Sequence, residues 1–403
     1  MRKLYVFLLS IFVIIFLSII VFTSKNNGLQ YIKTTTKEDS IKNLINNMNL
    51  DEKIGQLIIS GFYGYKVDKS LENLIKNNNL GGVILFERNI KDSKQLLELT
   101  NSLKEINKTN ISPLFISTDE EGSIVTRMPK EIKSLPSNYD IGKINNENFS
   151  YNIGKILGKE LGSFGFNMDY APVLDINSNP NNPVIGNRSF GNNKEIVSRL
   201  GVKTMKGIQS SNVISVIKHF PGHGDTSVDS HLALPIINHD LNRLNNLELV
   251  PFKYAIKNGA DAIMVSHILL NKLDKNNPAT LSKNIITNLL REKLNFNGVV
   301  ITDDMTMGAI VNNYNIGDAA VKAINAGSDI ILVCHKYENV NIVINAIKNA
   351  VKNDIISEKR IDESLYRILS LKRKYKLNNN KIDSVDIKGI NKSIDNLLNS
   401  YKY

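Results

Sequence analysis

Eight short apolar runs, closed by Gly, Pro, Asp or His, recur along the chain at residues 54–60, 82–86, 114–117, 168–174, 213–217, 262–265, 298–301 and 330–333. Runs this short suit strands buried on both faces and are too short for ordinary core helices. Between most of them lie segments with helical spacing of apolar residues, among them 93–106, 151–164, 195–209, 247–257, 282–294 and 318–326. Strands that alternate with helices point to a parallel sheet, because each helix carries the chain back to start the next strand in the same direction. Eight such units in a chain of 403 residues predict an α/β fold, a closed (β/α)8 TIM barrel rather than an open doubly wound sheet. The barrel is expected over residues 41–376, with a polar linker at 23–40 and an Asn- and Lys-rich tail at 377–403 that ends in a short amphipathic helix at 390–401.

Polar residues fall where such a barrel would place its chemistry. Nearly every run leads directly into groups of functional type: Glu87-Arg88-Asn89, Asp119-Glu120-Glu121, Asp175, Lys218-His219, Ser266-His267, Thr302-Asp303-Asp304 and His335. A ring of strand ends would gather these distant segments around one mouth. The densest of them, from Lys218 through Pro221, Gly222 and Gly224 to His231, holds three of the six histidines of the chain. Its Pro and Gly residues prevent regular structure, so the titratable groups are expected on a loop.

The first residues bear on location. Arg2 and Lys3 precede residues 4–22, an uncharged stretch about as long as a helix needs to cross a bilayer, and no Ala-x-Ala cleavage pattern follows. Residues 1–22 are therefore expected to be an uncleaved single-pass anchor, with the basic end inside and the remainder outside the cell membrane. The single cysteine, Cys334, excludes an internal disulfide and a CxxC metal site, and its apolar setting makes it a small buried hydrophobe. A net charge of +11 suits proximity to anionic lipid or an anionic wall polymer, whereas no arginine-rich helix, basic aromatic stripe or zinc-finger spacing points to nucleic acid.

The loop KHFPGHGDTSVDSHLALP at 218–235 resembles glycoside hydrolase family 3, in its bacterial β-N-acetylglucosaminidase (β-N-acetylhexosaminidase) branch, almost throughout. Shorter stretches add to the resemblance: LDEKIGQL from Leu50, GGVILFERNI from Gly81, APVLDI from Ala171, NPVIGNRSFG from Asn182 and GVVITDDMTM from Gly298. The resemblance implies a retaining hydrolase of terminal β-linked N-acetylglucosamine that works through a covalent glycosyl-enzyme and needs no cofactor or metal. It places the nucleophile at Asp303 and the acid/base at His231, oriented by Asp229. An imidazole suits that task at neutral pH, and a neighbouring carboxylate fixes its tautomer. Asp304 would point away if the strand is regular and would serve as a helix N-cap. Asp119, Arg127, Arg188, Lys218 and His219 are the implied substrate contacts, Asp119 accepting sugar hydroxyls and the others donating. Arg127 and Arg188 could equally be ion pairs that fasten loops. His223 and Asp225 are expected to bond within the loop.

One departure stands out. The family pattern reads DQEGGRV, whereas this chain has Asp119-Glu120-Glu121-Gly122-Ser123-Ile124-Val125, so the anchoring of the sugar-binding carboxylates is in question. The implied partner is a carbohydrate, the GlcNAc-MurNAc unit of peptidoglycan fragments (muropeptides). Two other readings compete. His219, His223, His231, Asp225 and Asp229 could ligate a metal in a metal-dependent barrel hydrolase, although the ammonium of Lys218 would repel a cation. A tethered wall-binding protein without catalysis is the other, which retention of Asp229, His231 and Asp303 together argues against.

Overall fold

The computed structural model describes residues 37–401, in a chain that divides into two compact units, Met1–Asn43 and Leu44–Tyr403. The expected membrane span at residues 4–22 lies outside the described residues. Among the described residues no helix is long and apolar enough to cross a membrane.

The second unit is built on eight parallel strands: β1 (Ile58–Gly61), β2 (Gly82–Ile84), β3 (Phe115–Thr118), β4 (Met168–Asp169), β5 (Ile214–Phe220), β6 (Ala262–Val265), β7 (Val299–Thr302) and β8 (Ile331–Val333). They pair in the order β8-β1-β2-β3-β4-β5-β6-β7, and every strand is buried along its length. The seam between β7 and β8 is joined by a single bridge, Ile301 to Ile330, and by the Leu332 amide donating to the Thr302 hydroxyl at 3.0 Å. The sheet is thus a nearly closed barrel of the (β/α)8 kind.

A main helix follows each strand, with shorter helices beside some of them: α1 (Lys69–Asn78), α2 (Ser93–Ile106), α3 (Glu147–Ser163), α4 (Lys194–Ser210), α5 (Leu249–Lys257), α6 (Asn284–Lys293, π-wound), α7 (Ile316–Ala326) and α8 (Tyr337–Lys352). Their starts are legible in the residues. Asp68, Asp92, Asn146, Asn193 and Asn315 cap α1, α2, α3, α4 and α7 with side-chain oxygens, which satisfy amides that have no partner inside the helix. Helices α3 and α4 approach closely at Gly154 and Gly207, where an added Cβ would lie 2.1 Å from the Thr204 carbonyl and 2.2 Å from the Tyr151 carbonyl.

Two expectations change, and the place of the tail, which the sequence leaves open, is decided. Residues 54 and 55 end a short helix, Leu50–Gly55, because Asn49 and Glu52 form a reciprocal cap at 3.0 and 2.8 Å; the first strand therefore starts at Ile58. The run 168–174 pairs as a strand only at Met168–Asp169, beyond which the Pro172 segment continues as a bridge from Val173 to Lys218. The tail is part of the barrel body. After α9 (Glu358–Lys374), the chain passes Asn101, whose side chain brackets Ile382 at 2.8 and 2.9 Å, and ends in α10 (Ile387–Ser400). Helix α10 buries Ile390 and Ile394, and Tyr401 stacks on Phe149 of α3 at 4.6 Å.

Candidate active site

The C-terminal ends of the strands surround a cavity of about 950 Å³, counting its open mouth. Asp119, Arg127, Arg188, Lys218, His219, His231 and Asp303 all line it, and Asp229 stands directly behind His231. All eight residues singled out from the sequence therefore meet, although up to 184 positions separate them. Strand β5 supplies two adjacent ones. Its pairing with β6 shifts register between Ile217 and Phe220, so Lys218 and His219 both reach the cavity where a regular strand would turn one away.

Charge organises the floor. Lys218, almost wholly buried, pairs with Asp119 at 2.6 Å and Glu121 at 2.7 Å, and Arg188 grips Glu121 through two bonds of 2.9 and 2.7 Å. Burial works against ionising Glu121, yet Arg188 and Lys218 outweigh it and hold the carboxyl well below the usual range. Burial likewise opposes the charge on Lys218, and Asp119 and Glu121 more than compensate. Arg188 is thus an ion pair and a cavity wall at once. Arg127 differs. Its Nη1 reaches the Thr126 carbonyl at 2.9 Å, its buried Nε has no partner, and although its charge is felt by the nearby Glu120 it forms no side-chain ion pair among the described residues.

Asp175 orients two histidines. It lies 2.6 Å from His219 Nδ1 and accepts the His223 amide at 2.6 Å. Burial alone would raise its pKa, but His219 and His223 leave it lowered. With Nδ1 donating to Asp175, His219 turns Nε2 toward Arg188 at 3.4 Å. His223 bonds within the loop, to Thr226 at 2.8 Å and Ser230 at 3.1 Å, whereas Asp225 reaches outside it to Ser178 and His239.

The end of that loop carries His231, 63% exposed at the mouth. Asp229 Oδ1 accepts both the His231 amide and its Nδ1–H at 2.8 Å, which leaves Nε2 free. Burial raises the pKa of Asp229, and the two His231 contacts overcome that to lower it. The loop is tied to the segment that follows β7: the amides of Gly308 and Ala309 donate to the carbonyls of His231 and Ser230 at 3.1 Å each.

On that segment stands Asp303. Its burial favours the neutral acid, but His267, His219 and the Asp304 amide at 2.8 Å hold its pKa below the ordinary value, so the carboxylate is ionised at neutral pH. Asp304 also borders the cavity, contrary to the alternation expected of a regular strand, and it caps no helix. Its carboxylate is occupied by the Thr306 amide and hydroxyl at 2.9 and 2.6 Å and by the Cys334 amide at 2.9 Å, which fastens the end of β7 to β8. His267, fully buried, meets the Asp304 carbonyl through Nε2 at 2.9 Å and Thr280 through Nδ1 at 2.7 Å.

Asp175 and His267 contribute from strand ends where the sequence assigns them no role. Their signal is position alone, since nothing local shows which partner each will meet. The Ser123 and Ile124 departure falls on a tight turn, Ser123 at φ 53° and Ile124 70% exposed, while Arg188 and Lys218 hold Glu121 in their own right. Among the described residues no three His, Cys, Asp or Glu side chains converge as metal ligands.

Residues 49–371 match the model of the glycosyl hydrolase family 3 N-terminal domain. The chain is 37% identical to a β-hexosaminidase A of Pseudoalteromonas piscicida over 75% of its own length and 55% of that relative, so it spans about half of that protein. It is 34% identical to a β-hexosaminidase of Neisseria meningitidis serogroup C over 71% of this chain and 80% of the relative. A solved structure of a family 3 β-N-acetylglucosaminidase from Paenibacillus sp. str. FPU-7 superposes with a TM-score of 0.82 at 40% identity, covering 87% of this chain and 68% of that one.

Proposed function

The chain belongs to glycosyl hydrolase family 3, and from that premise we propose that it is a retaining β-N-acetylhexosaminidase that removes terminal β-linked N-acetylglucosamine. The observation that carries this reading is the meeting, in one cavity, of an ionised Asp303 with a His231 whose Nδ1 is engaged by Asp229 at 2.8 Å. Asp303 attacks the anomeric carbon and forms a glycosyl ester. Meanwhile His231 Nε2 gives its proton to the departing oxygen. Asp229 holds the imidazole in the tautomer that leaves Nε2 toward the substrate and stabilises the imidazolium. In the second half His231 takes a proton from water, which displaces Asp303 and restores the β configuration. Asp119 accepts sugar hydroxyls, with Lys218 and Arg188 donating around it, while His219, whose Nδ1 proton is engaged by Asp175, presents Nε2 as an acceptor.

The substrate is read as GlcNAc-MurNAc fragments of peptidoglycan. Arg127 supports an acidic partner, because its guanidinium borders the cavity without a side-chain ion pair among the described residues. Residues 4–22 are read as the anchor that places the enzyme outside the membrane, on the strength of their length and lack of charge. Release of p-nitrophenol from p-nitrophenyl β-N-acetylglucosaminide by the full chain, with capture of Asp303 by a 2-fluoro glycoside, tests reaction and sugar together. A chain inert toward both the chromogenic substrate and GlcNAc-MurNAc would reject the proposal.

A further inference from the structure

The barrel carries a second concavity at the end opposite its catalytic mouth. The turns that lead into β4 and β5, the outer face of α3 and residues 375–382 enclose a groove of about 1340 Å³, counting open solvent. Five lysines line it, Lys104, Lys155, Lys159, Lys376 and Lys381, and no carboxylate does. Lys381 spends part of its charge on Glu105 at 2.9 Å, whereas Lys155, Lys159 and Lys376 are exposed and form no ion pair among the described residues.

Lys104 is the decisive one. It sits near the end of α2, 7% exposed, and its ammonium has neither an ion pair nor a hydrogen bond among the described residues. An ammonium largely shielded from water, with no protein partner and only the groove to face, is costly to keep. Lys372, more deeply buried at the same end of the barrel, shows the usual remedy: it donates to Gln56 Oε1 at 2.8 Å and to the Gly81 carbonyl at 3.1 Å. Lys104 has only the groove. Two glycines keep it reachable: a Cβ at Gly165 would lie 2.9 Å from its Nζ, and beside Gly162 the nearest atom to an added Cβ is 3.8 Å away.

We propose that this groove binds phosphate groups carried along a flexible chain, with Lys104 at its floor and Lys155, Lys159 and Lys376 along its rim. Lysines meet phosphate as mobile point charges, and several around one groove fit repeated negative charges better than a single carboxylate. The concavity favours a slender polymer over a membrane, since a flat lipid surface would touch the rim lysines and leave Lys104 unreached. Such a ligand would hold the enzyme beside a phosphate-bearing polymer without obstructing the catalytic mouth.

The test is calorimetric titration of the full chain, in a non-ionic detergent at about 50 mM salt, with a glycerol phosphate oligomer, inorganic phosphate and phosphatidylglycerol vesicles. The oligomer should bind saturably and weaken at least tenfold on raising salt to about 200 mM. Lys104→Met should weaken it about tenfold more, with an unchanged glycosidase rate and a thermal midpoint that holds or rises, because the unpaired buried charge is gone. Lys155→Gln/Lys159→Gln, at exposed positions that cannot compromise folding, should weaken binding comparably. Inorganic phosphate that binds as tightly as the oligomer would overturn the assignment to a phosphate-bearing chain; markedly weaker binding upholds it. Absence of saturable binding to both, wild-type affinity in Lys104→Met, or association with vesicles alone would overturn the proposal.

Discussion

At the scale of single residues, Asp303 and His231 make separable demands. Asp303→Asn keeps the shape of the side chain and loses its nucleophilicity, so turnover should fall more than about a hundredfold with the thermal midpoint unchanged. Substantial turnover in preparations freed of contaminating enzyme would move the nucleophile elsewhere. His231→Ala should slow substrates with poor leaving groups far more than activated phenyl glycosides, and azide should restore its second step and yield the β-glycosyl azide. Equal losses on both substrate kinds, without an azide effect, would leave His231 a structural residue.

Glu120 makes a prediction about pH. It occupies the position where the family pattern has Gln, and burial raises it from the ordinary 4.5 to about 7 against the bonds from Arg127 and Thr126. A carboxyl raised on folding stabilises fully below its unfolded pKa, and that contribution is lost as pH climbs from about 4.5 to about 7. The loss is on the order of 3 kcal/mol. Glu120→Gln stays neutral, so between pH 5 and pH 8 its urea midpoint should fall less than that of the wild type. Parallel falls would show Glu120 ionised in the fold. The residues of the site were legible because their types and local order are distinctive. Their partners were not, since Arg188 meets Glu121, and Asp175 meets His219, only across strands far apart in the chain.

Among elements, the link that matters joins the acid/base loop to the helix Gly308–Val311. A Cβ at Gly308 would lie 2.6 Å from the His231 carbonyl and 2.8 Å from that of Leu232, so Gly308→Ala should push the loop off its two amides. We expect a fall of about tenfold in kcat on poor leaving groups, a smaller one on good ones, and a change in stability within about 1–3 kcal/mol. Unaltered kinetics would mean that the loop is positioned by Asp229 and His223 alone. Strand and helix positions followed from apolar spacing. What spacing could not show was where pairing stops, because the ends of β4 and β5 depend on the Pro172 segment and on the register shift before Phe220.

For the whole molecule, the compact unit Leu44–Tyr403 contains every residue of the cavity. Removal of residues 1–40 should therefore leave kcat and KM within about twofold and shift the protein from the membrane fraction to the supernatant. A truncated form that still pellets with membranes would disprove the N-terminal stretch as sole anchor. Deletion from residue 387 onward should act differently. It removes the buried Ile390 and Ile394, bares the surface they cover together with Phe149, and should lower the thermal midpoint before it affects catalysis.

The order of apolar runs and the residues that end them determined, without any coordinates, that eight parallel strands would gather Asp119, Lys218, His231 and Asp303 at one end of a barrel. Periodicity and strand direction are local properties, and a closed parallel sheet leaves little choice about which ends converge. Only the folded chain decided which charges compensate one another, that the tail is part of the body, and that Lys104 is buried facing an open groove. Those outcomes depend on distances between segments from about forty to nearly three hundred residues apart, and no local pattern of residue types encodes such a distance.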